Sequence, residues 1–171
     1  MIIGEKVCLC PFLREDAPAV FNWLNTVTLA HLNGPYRPTD QMSFDGWFQA
    51  IGKDPSKVMF AIRREGDLRL LGYVQITTIN PVFRTGEMGI VVGDEAERGK
   101  GYGQEALQLV LRHCWDDLNL HRVNLFVVGD NPGAVHVYAK VGFVDEGRMR
   151  QAAYVDGRYV DVLVMGVLRP A

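Results

Sequence analysis

The stretch "ERGKGYGQEA", residues 97–106, sets three glycines at alternate positions beside Arg98 and Lys100, directly after an apolar run and directly before a helical pattern. Glycine forgoes side-chain packing and costs conformational entropy, so three in one turn point to something that approaches the backbone closely. The two cations beside exposed N–H groups point to an anion. A helix beginning at Gly101 would add unpaired N–H groups and a partial positive charge at the same place.

Reading outward from this turn gives the element order. "EKVCLCPFL" (5–13) has strand character, and 14–25 is helical, with Ala17, Val20, Phe21 and Leu24 at spacings of three and four. The loop "NGPYRPTD" follows, then a short helix over 43–51 with Ser43 as its N-cap. Strands over 57–64 and 70–79 are joined by "EGDLR", and "GEMGIVVGD" (86–94) is a strand that leads into the quoted turn. From Gly101 to Leu118, Ala106, Leu107, Val110, Leu111, Cys114 and Leu118 form one apolar stripe. "HRVNLFVV" (121–128) is a strand. "NPGAVHVYAKVGF" (131–143) is a helix capped by Asn131, with Pro132 at its first position and Gly142 just past its end. Two last strands pair across Asp156-Gly157, a two-residue hairpin signal. This order predicts an α+β fold, with one central, mostly antiparallel mixed sheet of about seven strands and helices on both faces.

Composition narrows the classes of function. A chain of 171 residues fits one domain, here residues 1–171. With 48% hydrophobic residues, 22% charged residues and a formal net charge of −2, it offers no polyanion-binding surface, so nucleic acid is not expected as its main partner. Cys8, Cys10 and Cys114 are odd in number and show no Cys-x-x-Cys or Cys/His ligand spacing, so no metal is expected and a reducing cytoplasm is the simplest setting. Glu5 and Lys6 interrupt any signal-peptide core, and no apolar run is long enough to span a membrane.

Three phosphate-cradling patterns compete for the glycine turn. A Walker loop fails, because five residues separate Gly93 from Gly99 and Lys100 is followed by Gly101. A dinucleotide fingerprint fits Gly101-x-Gly103-x-x-Ala106 in its permissive form, with Asp130 as the ribose-binding acid. That fold needs several further βα units, yet the chain ends in a hairpin. The third pattern is Arg98-x-x-Gly101-x-Gly103.

On this third pattern, together with Asn131, Tyr138, Gly142-Phe143 and the closing hairpin, the sequence resembles the GNAT superfamily of N-acetyltransferases. Within it, "LHRVNLFVVGDNPGAVHVYAKVGFVDEGRMR" and "DGRYVDVLVMGVL" resemble the group of ribosomal-protein alanine acetyltransferases and spermidine acetyltransferases. The resemblance implies a sheet with a V-shaped split between its fourth and fifth strands, 86–94 and 121–128. Acetyl-CoA would lie in the split as co-substrate. Its pyrophosphate would sit on the loop Arg98, Gly99, Lys100, Gly101, Tyr102 and Gly103. Its pantetheine arm would pair with the strand edge at Ile90, Val91 and Val92, with Asn131 contacting the same arm. The resemblance also allows a homo-oligomer.

The implied chemistry is direct attack of a primary amine on the thioester in a ternary complex. The departing thiolate belongs to a thiol of pKa about 8.5, which a phenol of pKa about 10 can protonate, and Tyr138 is the candidate acid. An alkylammonium of pKa about 10.4 must lose its proton before attack, and Glu87 is the candidate base. His121 and His136 show no partner in the sequence and are read as structural. A polyamine or a protein amino terminus is the expected acceptor. Asp40, Asp45, Glu87 and Asp161 are the acids that could gather around a polycation. A non-catalytic acyl-CoA-binding module is the alternative.

Overall fold

The computed structural model describes residues 1–32, 34–129 and 131–171 of the chain. Asp130, on which the dinucleotide reading relies, and Asn33 lie outside the described residues. The amino terminus enters the sheet as two short strands, β1 (Ile2–Ile3) and β2 (Val7–Cys10). The continuous strand expected over 5–13 is thus shorter, and a further short strand precedes it. The carboxylate of Glu105 holds this corner by accepting the backbone N–H groups of Glu5, Lys6 and Val7. Three α-helices follow: α1 (Ala17–Leu24), α2 (Val27–His31) and α3 (Gln41–Ala50). The sequence reading contains no α2. It also caps the third helix at Ser43, whereas Asp40 is the cap and takes the Ser43 N–H on its carboxylate at 2.9 Å. Both residues can cap a helix, and the earlier one wins because its side chain bonds both the Ser43 N–H and the Ser43 hydroxyl.

The remaining elements are β3 (Val58–Arg64), β4 (Leu70–Asn80), β5 (Thr85–Val92), α4 (Tyr102–Asp116), β6 (Arg122–Val128), α5 (Pro132–Lys140), β7 (Val144–Val155) and β8 (Arg158–Leu168). The described strands form one sheet in the order β1-β2-β3-β4-β5-β6-β8-β7. Every neighbouring pair is antiparallel except β5 with β6. The hairpin between β7 and β8 turns through Asp156 and Gly157, both at positive φ, as a two-residue primed turn requires.

Each face of the sheet has its own apolar cover. The stripe of α4, with Ala106, Leu107, Val110 and Cys114 buried, packs over Val74, Ile76 and Met88, and α5 adds Ala134, Val135 and Tyr138. On the opposite face α1 and α3 bring Val20 and Phe44 against Tyr73, with Trp23, Phe48 and Val91 around them.

A buried ion pair fixes α1 on its face. Asp16, 3% exposed, accepts two hydrogen bonds from the Arg63 guanidinium at 2.8 and 2.7 Å, and a third from the Leu13 N–H. Removing one partner strands the other's charge in a dry site, at about 3 kcal/mol. Asp16→Ala is therefore expected to lower unfolding free energy by about 3 kcal/mol in urea titration; a loss below about 1 kcal/mol would contradict this role for the pair.

Candidate active site

β5 and β6 run side by side for only three residue pairs, Thr85 with Arg122, Gly86 with Val123 and Glu87 with Asn124. Beyond these, β5 stays paired with β4 as far as Val92, and β6 stays paired with β8 as far as Val128. The two parallel strands therefore diverge. From Met88 to Val92, β5 has no strand facing it on the β6 side. This is the split expected between the fourth and fifth strands, numbered one higher because of the extra strand at the amino terminus.

The glycine turn stands at the mouth of the split. Gly99 and Gly101 have φ of +76° and +87°, a region that side chains of L residues rarely enter. Gly101 is the N-cap of α4 and offers no side chain to its first turn. The N–H groups of Gly101, Tyr102, Gly103 and Gln104 consequently have no acceptor among the described residues. Gly103 is not needed by the backbone conformation. A Cβ there would meet only Val92 and Ile90, at 3.6 and 3.9 Å, which places this first turn directly against the open end of β5.

The cations of the turn are held differently from one another. Arg98 folds back so that its Nε donates to the Val92 carbonyl at 3.3 Å. The Lys100 ammonium is 2.9 Å from Glu97, a buried carboxylate that also faces Arg69 at 3.3 Å and Arg64 at 3.7 Å. The Lys100 bond holds the Glu97 carboxyl below the usual carboxylate range, with the two arginines adding to the effect. Lys100 is thus already partnered within the protein, whereas the sequence presents it as a free cation. A third cation escapes the sequence reading. Lys6, far away in the chain, brings its Nζ 3.4 Å from the Lys100 carbonyl because Glu105 anchors residues 5–7 to the start of α4. Nothing in the spacing of 97–106 announces it.

The candidate catalytic side chains lie on opposite faces of the sheet. Tyr138 lies on α5, packs with the α4-side core and meets Phe143 edge-on at 5.9 Å between ring centres. Burial raises its phenol above the ordinary value, so it keeps its proton well into the alkaline range. The hydroxyl makes no hydrogen bond to any described residue. Glu87 sits at the last paired position before β5 leaves β6, half-buried and without a side-chain partner among the described residues. It projects to the same side as Gly89 and Val91, which is the face of α1 and α3. Asn131 caps α5 by accepting the Ala134 N–H at 3.1 Å, beyond the end of β6.

The other acids that the sequence offers do not gather. Asp40 caps α3, Asp45 accepts from Gln41, and Asp161 accepts from the Gln151 N–H and faces Arg148. Two of the thiols are held protonated at neutral pH: burial pushes Cys8 up to about 11 and Cys114 up to about 12. Among the described residues no three His, Cys, Asp or Glu side chains lie together as a metal site. Their helices include none long and apolar enough to cross a membrane.

A sheet split between two parallel strands, with the N-terminus of a helix at the mouth of the split and a buried phenol on the α4 side, suits a group transferase with an anionic co-substrate. The chain belongs to the GNAT acetyltransferases: the sequence profile of the acetyltransferase (GNAT) domain matches residues 6–144. A spermidine N(1)-acetyltransferase of Vibrio cholerae is 37% identical over 100 residues, which are 58% of this chain and 57% of that one. A spermidine N(1)-acetyltransferase of Escherichia coli K12 is 29% identical over 168 residues, 97% of this chain and 88% of that one. The crystal structure of spermidine N-acetyltransferase from Vibrio cholerae in complex with CoA and spermine matches with a TM-score of 0.89 at 26% identity, over 96% of each chain. A dodecameric structure of that Vibrio enzyme matches at 0.78. The protein is accordingly an acetyl-CoA-dependent N-acetyltransferase with the α+β architecture of that family.

If the first turn of α4 receives a pyrophosphate, a side chain at Gly101 acts twice: it strains the positive-φ cap, and its Cβ comes 3.1 Å from the Lys6 ammonium. Gly101→Val is expected to raise the calorimetric Kd for acetyl-CoA at least about tenfold. An unchanged Kd would show that the anion binds elsewhere.

Proposed function

We propose that the protein, as a single N-acetyltransferase domain over residues 1–171, transfers the acetyl group of acetyl-CoA to the primary amine of a small molecule by direct attack in a ternary complex. The observation that carries this reading is the row of unpartnered N–H groups, Gly101 to Gln104, set against the strandless edge of β5. Buried backbone groups need partners. A pantetheine arm lying along Ile90, Val91 and Val92 would supply them, as an added strand does. The pyrophosphate would lie on the turn from Arg98 to Gly103, with Gly99 and Gly101 allowing its approach and Tyr102 beginning the helix whose dipole favours it. Lys6 and Lys100 would set the potential around it, Lys100 being shared with Glu97. Asn131 would border the arm at the far side of the split.

Direct transfer needs three proton movements. The acceptor ammonium loses a proton to Glu87, either directly or through water, and the lone pair attacks the thioester carbon. As the C–S bond breaks, the departing sulfur takes a proton from the Tyr138 hydroxyl, and the phenolate left behind recovers one, through water, from the nitrogen, which sheds its second proton on becoming the amide. No acyl-enzyme is required, in keeping with thiols held protonated by burial. Most of the acceleration then comes from positioning and from fixed backbone dipoles. The relatives that act on spermidine make polyamines the acceptors to try first, with a protein amino terminus as the other expectation. The dodecameric relative supports a homo-oligomer, and the cytoplasm is the proposed compartment.

Thiol release from acetyl-CoA, followed against polyamines, amino acids, amino sugars and short peptides, tests the reading. Release with at least one amine is expected. Binding of acetyl-CoA without release for any amine would make the protein an acyl-CoA-binding module instead. Tyr138→Phe is expected to lower kcat by about a hundredfold or more while the Kd for acetyl-CoA holds; an unchanged kcat removes Tyr138 from the chemistry. Because burial raises the phenol, its ionisation lies above pH 10. The rate is therefore expected to rise with pH from about 6 to 9 as the acceptor deprotonates, with no decline from Tyr138 in that window. A fall in kcat between pH 8 and 9 that Tyr138→Phe abolishes would contradict the shift.

A further inference from the structure

A cavity of about 360 Å³ lies beside β5 on the face of α1 and α2 and opens onto Gly89, Ile90 and Val91, the edge proposed for the pantetheine arm. Its walls are mainly apolar, with Trp23, Leu24, Leu29 and Tyr73 among them. Trp23 is fixed there by shape: a Cβ on Gly93 would fall 1.9 Å from the indole, so the ring lies flat on bare backbone at the end of β5. Among the described residues that line this cavity, none is a carboxylate and one carries a permanent charge, Arg37.

The place of Arg37 is set by its surroundings. It lies between Pro35 and Pro38, which restrict the backbone on either side. The loop is stapled to the end of α1 by Asn25, whose amide donates to the Thr39 carbonyl at 3.1 Å and whose carbonyl accepts the Thr39 N–H at 2.9 Å. The guanidinium itself is exposed and makes no ion pair or hydrogen bond with any described residue. Three carboxylates of this part of the chain are engaged elsewhere: Asp16 with Arg63, Asp40 with Ser43 and Asp45 with Gln41. On β5 itself the acid of the same face is Glu87, the next position on that face beyond Gly89. The site therefore has two poles, an acid at the fork of the strands and a cation on the cavity wall, with apolar side chains and the Gln75 amide beside Gly89 between them.

We infer that the acceptor is an amine that also carries a carboxylate on a largely apolar body, and that Arg37 is the residue that selects it. The reacting amine would sit toward Glu87 and the carboxylate toward Arg37, whose planar fork suits a two-oxygen anion. A polyamine would instead bring its second ammonium against a guanidinium without an ion-pair partner among the described residues, a like-charge contact. This inference rests on the transferase reading but not on the polyamine acceptors of the relatives.

The test compares kcat/KM for thiol release across matched acceptors. One set pairs α,ω-diamines with ω-amino carboxylates of three to six carbons; the other pairs leucine and phenylalanine with their decarboxylated amines. Wild type, Arg37→Ala and Arg37→Glu are measured on both sets. In wild type the best amino carboxylate is expected to exceed its carboxylate-free partner by about tenfold. Arg37→Ala should abolish that ratio and Arg37→Glu should reverse it, with the melting temperature unmoved because the side chain is exposed. A wild-type preference for diamines or carboxylate-free amines in both sets, or a carboxylate preference that survives both substitutions, overturns this inference alone. Release with none of these amines, nor with the wider panel used to test the transfer reaction, overturns the transferase reading together with it.

Discussion

The structure turns on a conflict between two strands. β5 and β6 begin as neighbours in a parallel ladder and separate after Glu87 and Asn124, although each stays fully paired on its other side. A continuous sheet would satisfy the backbone of Met88–Val92 with another strand; here that side of β5 is left without one. Backbone N–H and C=O groups in such a position are costly unless something bonds to them. The proposed pantetheine arm gives the edge its partner, so the defect in the sheet and the binding of the co-substrate become one feature.

Other parts of the chain serve that opening. The start of α4 stands at its mouth with four N–H groups lacking acceptors among the described residues, kept bare by a glycine cap. Glu105, one turn into the same helix, ties the amino-terminal corner down and so delivers Lys6 to the turn. Glu97 gathers Arg64, Arg69 and Lys100 just before it. These are two separate uses of a buried or half-buried carboxylate to fix cations and backbone around a site built for an anion. On the opposite face the Asp16–Arg63 pair seats α1, which carries Trp23 onto Gly93 and so shapes the cavity proposed for the acceptor.

Much of this was legible in the sequence, and the pattern of what was not has physical reasons. From residue 57 onward, alternation of apolar residues, the stripe of α4 and the cap-to-glycine span of α5 are each strong local signals, and each appears in the fold at its expected place. The first fifty residues are weaker. α2 is a single turn and a half with no side-chain cap, and α3 has two competent capping residues three positions apart. The glycine turn was readable because φ of +76° and +87° leaves little choice of residue. Lys6, Trp23 and Arg37 were not readable as site residues, because each arrives by tertiary packing: through Glu105, through bare backbone at Gly93, and through the Asn25–Thr39 staple. The acids Asp40, Asp45 and Asp161 show the converse. Their charge is plain in the sequence, but local hydrogen bonds commit them to helix caps and loops.

Amide hydrogen exchange, with and without saturating CoA, addresses the central claim most directly. If the co-substrate completes the sheet, exchange should slow in two separated segments at once, Met88–Val92 on the open edge and Gly101–Gln104 at the start of α4, while the β7–β8 hairpin is unchanged. Binding of CoA without protection of either segment would show that the split is not its site.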